Sequence, residues 1–259
     1  MNSEAILDLF RIVVLVFVLI GCIRLMFMKK NMAFVIFFTL GIACILLSDF
    51  YWLVYDVLRP NSRMPFAANE ICEWSLFLLL SSALSANYPR EYWSWKKEKF
   101  AVVLFVIGNV ALWIGWSGEW MQDILTGVAL SCFLCSLVCR VKYEGVLNGI
   151  SGILLAAAGF ILILGQAGTF LAPERISKIL DRSCYVLMFS VLAILIFFTI
   201  LSLIKGTSAQ STCLSFVSFA GCVVTMYMSS EGFYLAAMIL SAVCFVLMYA
   251  ALKKEVMEE

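Results

Sequence analysis

Histidine is absent from the chain. Its absence excludes bis-histidine haem, histidine-ligated zinc or copper, and any catalytic triad with a histidine base. Proline is scarce, at 4 residues. No Walker A or GxGxxG run occurs, so nucleotide-driven chemistry has no visible seat. No long polar segment, linker or low-complexity tail appears, and nothing resembles a soluble output domain. Charge is also in short supply. Charged residues make up 14% of the chain, against about 25% in an ordinary soluble domain. A net charge of +1 gives no polyanion signal, and nucleic acid is not an expected partner.

What the chain has in excess is apolar surface. Of 259 residues, 64% are hydrophobic, and mean hydropathy is +1.02. A soluble fold of this size runs out of polar residues to face water. Soluble enzymes, nucleic-acid-binding domains and disordered regulators are therefore excluded. The composition predicts an all-α, polytopic integral membrane bundle whose first partner is the lipid bilayer.

A helix needs about 20 apolar residues to cross the hydrocarbon core. Nine stretches qualify, at roughly 5–28, 32–57, 69–88, 100–117, 120–140, 146–171, 183–204, 211–228 and 232–252. Between Trp113 and Trp120 only Ser117, Gly118 and Glu119 break the apolar run, so eight spans is the alternative. Leu19-Ile20-Gly21-Cys22 fits a lipoprotein cleavage box. However, Glu4 and Asp8 precede the single Arg11, and the apolar run continues through Ile23, Leu25 and Phe27. An uncleaved first helix is expected.

Lys29, Lys30, Arg90, Lys96, Lys97, Lys99, Arg140, Lys142, Lys205, Lys253 and Lys254 fall on one side of the membrane in this topology. Arg59, Arg63, Arg175, Lys178 and Arg182 fall on the other. Basic loops face the cytoplasm. The N-terminus is then outside and the C-terminus inside, which requires an odd number of spans. Short loops and little polar extramembrane mass suggest a bacterial inner membrane.

A shift of 112 residues aligns Cys72, Phe77 and Leu80 with Cys184, Phe189 and Leu192. The same shift aligns Ser117, Glu119, Cys132, Phe133 and Lys142 with Ser229, Glu231, Cys244, Phe245 and Lys254. This predicts one transmembrane domain in three parts. An extra N-terminal helix (1–30) precedes two parallel four-helix units, 31–143 and 144–259.

Ionisable groups within spans are costly, starting near +2.5 to 3.5 kcal/mol at a helix centre. On this topology the acids crowd the outer half. Asp49, Trp52 and Asp56 share one helical face at i, i+3 and i+7. The next span opens with Asn69-Glu70-Ile71-Cys72-Glu73-Trp74, and Glu70 and Glu73 share a face. The short loop between the two spans makes them neighbours. With Glu119 and Glu231, these residues outline an outward-facing acidic and aromatic pocket. Such a pocket suits a small amine or a lipid headgroup. The competing reading is an interfacial aromatic belt with acids at helix N-termini, where the dipole favours them. Asp49 lies about eight residues inside its span, where no dipole accounts for it.

Asp8 and Arg11 are three apart and are expected to pair locally. Asn109 and Gln166 suit hydrogen bonds between helices, and Gly152, Ala156 and Gly159 suit close helix packing. Cys132, Cys135 and Cys139 share a face, but a mid-span setting disfavours the thiolates a metal needs. No metal or other cofactor is expected. Cys72 and Cys184 lie at similar depth, where a disulfide is conceivable.

Ile45-Leu46-Leu47-Ser48-Asp49-Phe50-Tyr51-Trp52-Leu53, followed by an arginine-containing turn and another apolar helix, resembles the C-terminal hairpin of the YhhN lysoplasmalogenase-like membrane family. The resemblance covers about 40 of 259 residues. It implies about eight spans in two related halves, hydrolysis of a lipid vinyl ether, and Asp49 as the catalytic acid. Here the hairpin stands near the start of the chain. The 112-residue shift puts Ile161 opposite Asp49, or Ala167 if the span is shifted, so Glu119 or Glu231 would have to supply the second carboxyl. Three functions are thus carried forward. One is a ligand-binding sensor or small-molecule transporter with a signalling partner. The second is an intramembrane lipid hydrolase, and the third a structural subunit with an assembly partner.

Overall fold

The computed structural model describes residues 3–28, 32–58, 68–86, 97–117, 119–146, 173–228 and 231–258. They form α1 (Ser3–Met26), α2 (Met32–Leu58), α3 (Ala68–Ser85), α4 (Lys97–Ser117), α5 (Trp120–Tyr143), α6 (Glu174–Lys205), α7 (Ser208–Met228) and α8 (Glu231–Glu258). Six of these, α1, α2, α5, α6, α7 and α8, are long and apolar enough to cross a membrane. The chain is an integral membrane protein built as a helical bundle. α4 carries a shorter apolar run, Lys99–Gly115. α3 has 18 residues, or about 27 Å at 1.5 Å per residue, just short of a hydrocarbon core about 30 Å thick.

The soft boundary resolves into two helices, with α4 ending at Ser117 and α5 starting at Trp120. The expected span at 146–171, with Gly152, Ala156, Gly159 and Gln166, lies beyond Val146 outside the described residues. α5 stops for a local reason. Gly145 takes φ 64°, a left-handed conformation that glycine adopts without strain. That turn lets Gly145 N–H reach Lys142 O at 3.3 Å and Val146 N–H reach Val141 O at 3.2 Å, closing the exposed carbonyls of the last turn.

Among the described residues, six helices close a ring. α1 packs on α2, α2 on α3, α3 on α5, α5 on α7, α7 on α8, and α8 returns to α1. α4 lies against α5, and α6 against α7 and α8. Phenylalanines fill the centre, so the ring is a packed core. Phe133 stacks on Phe77 at 6.0 Å and meets Phe216 and Phe219 at 6.5 and 6.2 Å. Phe34 and Phe38 reach Phe216 at 6.3 and 6.0 Å, and Phe245 reaches Phe219 at 4.9 Å. In lipid the hydrophobic effect does not drive helix association; dispersion and close fit do. Glycine supplies that fit where α1 meets α8. A Cβ at Gly21 would stand 2.5 Å from the Tyr249 ring. Neighbouring Cys22 is fully buried in the core, so the cleavage-box sequence sits mid-helix in α1.

The side-chain contacts give the bundle two ends. One holds Asp49, with the starts of α1, α3, α5 and α8. The other holds Glu255, with the ends of α1, α3, α5, α6 and α8. In the two stretches related by the 112-residue shift, α3 and α4 both meet α5, and α6 and α7 both meet α8; α6 and α7 also lie along each other.

Candidate functional site

Asp49 is fully buried, about 13 Å along α2 from its end by the helical rise. Arg11 of α1 grips it with a two-point fork. Arg11 Nε donates to Asp49 Oδ2 at 2.6 Å, and Arg11 Nη2 donates to Oδ1. A guanidinium matches a carboxylate in this geometry, and charge strengthens both bonds. Each charge alone would be costly at this depth; together they offset one another. Beyond the local pairing with Asp8 that the i, i+3 spacing predicts, the guanidinium crosses to the neighbouring helix. Asp8 is itself buried one turn from Arg11.

α2 and α3 are neighbours, as their short connection predicts. A Cβ on Gly41 would meet Leu76 at 3.4 Å and Leu80 at 3.5 Å. Eight residues along from this crossing, the antiparallel register brings Asp49 to the level of Glu70. Glu70 and Asn69 are buried, and Glu73 is half-buried. Two polar atoms at this level, Ser48 Oγ and Asn69 Oδ1, are buried without a hydrogen-bond partner among the described residues. Such atoms cost about 1–3 kcal/mol each when left unsatisfied.

The aromatic residues gather nearby. Trp52 meets Tyr51 and Tyr55 edge-on, each at 6.1 Å, and the two tyrosines stack at 6.0 Å. Trp74 Nε1 donates to Thr126 Oγ1 of α5 at 2.8 Å, so that indole ties α3 to α5. Glu119 precedes α5, and its carbonyl accepts from Asp123 N–H at 3.1 Å. Asp56 lies on α2 and Glu231 opens α8; their side chains fall outside those described. Asn109 does not bridge helices. Its Nδ2 donates to Phe105 O, one turn back on α4, at 2.7 Å.

The opposite end holds a cluster that sequence reading treated only as basic loop residues. Arg140 Nη2 of α5 donates to Glu255 Oε1 of α8 at 2.7 Å, and Thr212 Oγ1 of α7 donates to Glu255 Oε2 at 2.6 Å. The Arg140 guanidinium carbon lies 4.9 Å from the ring centroid of Phe34 on α2, a cation–π distance. One residue before Glu255, Lys254 Nζ donates to the carbonyls of Ser202, Leu203 and Gly206 at 3.2, 3.1 and 2.7 Å. It thereby caps the exposed carbonyls at the end of α6. The available signal was an arginine and a carboxylate, each one turn inside an apolar helix ending on the same side.

Cys72 and Cys184 are not bridged. Among the described residues, no group of three or more cysteine or carboxylate side chains could hold a metal ion. No protein-family model, curated protein or solved structure matches the chain.

Proposed function

We propose that this integral membrane protein binds a small cationic molecule, an amine or an amine-bearing headgroup, at the Asp49 end and acts as a sensor. One observation carries the reading. Among the described residues, three buried carboxyl side chains, Asp8, Asp49 and Glu70, share that end with one buried arginine, Arg11. Carboxyl groups gathered within a membrane suit a cation, and the Tyr51, Trp52 and Tyr55 rings offer faces to it. Unsatisfied Ser48 Oγ and Asn69 Oδ1 add acceptors at the same level.

The phenylalanine-filled centre favours sensing over transport, because passage would require that column to part. A sensor on this chain needs a separate signalling partner. A hydrolase would need Asp49 to leave Arg11 and gain Glu119 or Glu231 as its second carboxyl, and no described contact favours that over binding. The orientation belongs to the same proposal. Lys99, Arg140, Lys142, Lys205, Lys253 and Lys254 collect at the Glu255 end. That end then faces the cytoplasm of a bacterial inner membrane and the Asp49 end faces out. α5 and α6 run in the same direction, which supports an odd span number of nine.

Native mass spectrometry of gently extracted protein tests the site. Wild type should retain a small non-lipid or headgroup mass that Asp49→Asn loses. Glu70→Gln, which leaves the Arg11–Asp49 fork intact, should weaken retention. Flux of the identified molecule into proteoliposomes would move the reading from sensor to transporter. If wild type and both variants carry only the same bulk lipid, the binding reading fails and a structural subunit takes its place.

A further inference from the structure

A second site lies on α7 and α8 and does not depend on the Asp49 end. Cys222 Sγ and Cys244 Sγ stand 3.7 Å apart across that antiparallel helix pair, and both residues are fully buried. Met248, one turn along α8 from Cys244, is fully buried too. Two sulfurs from two helices thus face each other about halfway along the bundle. We propose that this pair is a soft-metal site for Cu(I).

The geometry sets the coordination. Metal–thiolate bonds are about 2.3 Å for zinc, so two sulfurs on one ion lie about 3.8 Å apart at a tetrahedral angle and about 4.6 Å apart when linear. The observed 3.7 Å is close to the first, and the second requires the sulfurs to move apart by about 0.9 Å. Zinc would need four ligands, and the chain has no histidine. Thiolate and thioether donors select Cu(I) instead. One thiol releases its proton to solvent as its metal–sulfur bond forms. The other sulfur binds through a lone pair and keeps its proton. The ion enters and stays as Cu(I), no electron is transferred, and the loaded site is neutral overall, as a hydrocarbon interior demands. The competing description is two small buried residues sharing a weak S–H···S hydrogen bond.

The test is a Cu(I) titration of the full chain in detergent under ascorbate, with bicinchoninate as competitor. Wild type is compared with Cys222→Ser/Cys244→Ser. The eight other cysteines contribute the same background to both, so wild type should bind one equivalent more. X-ray absorption at one equivalent should show a shell of sulfur only. Equal stoichiometry in both proteins, or an oxygen and nitrogen shell, overturns the site. Cys222→Ala/Cys244→Ala replaces the serine variant if buried hydroxyls prevent folding. If neither variant folds, fragment-ion mapping of Cu(I)-loaded wild type decides. An ion retained on fragments containing 222–244 supports the site, and one retained elsewhere removes it.

Discussion

The two ends of the bundle each bury an arginine–carboxylate pair, and the pairs are built differently. At one end Arg11 and Asp49 lie 38 residues apart on consecutive helices. The fork uses both carboxylate oxygens, and the carboxylate is fully buried. At the other end Arg140 and Glu255 lie 115 residues apart. There the carboxylate divides its oxygens between an arginine and a threonine, and an aromatic ring lies under the guanidinium. The first pair pins a hairpin. The second joins α5, α7 and α8, with α2 beneath. A buried ion pair therefore has no single role in this protein. Depth and sequence separation decide whether it ties a hairpin or joins helices distant in sequence.

Breaking the deeper pair should have the largest effect. Asp49→Ala removes the two-point fork from a buried guanidinium and should lower unfolding stability in detergent by about 3–5 kcal/mol. Arg11→Leu combined with Asp49→Leu should recover most of that loss. A single variant as stable as wild type would remove the distinction between the ends.

Glu255→Gln should cost less, about 2 kcal/mol. The amide still reaches Thr212, Phe34 still receives the guanidinium, and the site lies one turn from the helix end. Its signature should be local, with faster hydrogen exchange where α5 meets α7 and unchanged exchange in the α1–α2 hairpin. Uniform loss of protection would show that the two ends are one cooperative unit.

The control is the exposed pair Lys178–Glu174, whose side chains are 69% and 85% accessible. Lys178→Ala should leave the melting temperature unchanged within error, because an exposed i, i+4 pair adds little. A measurable drop would mean that burial does not separate these pairs.

Sequence reading succeeded where one helix or one short loop carries the information. Composition alone required helices in lipid, and the short connection after Leu58 made α2 and α3 neighbours. Asp49 drew notice because an acid so far inside a span needs a partner. That Arg11 supplies this partner was not legible, because i, i+3 arithmetic sees only one helix and pairs Arg11 with Asp8 alone. The Glu255 cluster was invisible for the same reason at longer range. Arg140, Thr212 and Glu255 become neighbours only once α5, α7 and α8 are known to meet. Asn109 failed in the opposite direction: a bond between helices was expected, and its own backbone was the nearer acceptor.

The contact between Gly21 and Tyr249 has a consequence in time. The two residues are separated by about 230 positions. At a synthesis rate of about 5–20 residues per second, α1 waits on the order of ten to forty seconds in the membrane before the ring that fits its glycine has been made. Asp49, only 38 residues downstream of Arg11, is made about two to eight seconds after it at the same rate. The partner of Arg11 thus exists long before the closing helix has been synthesised.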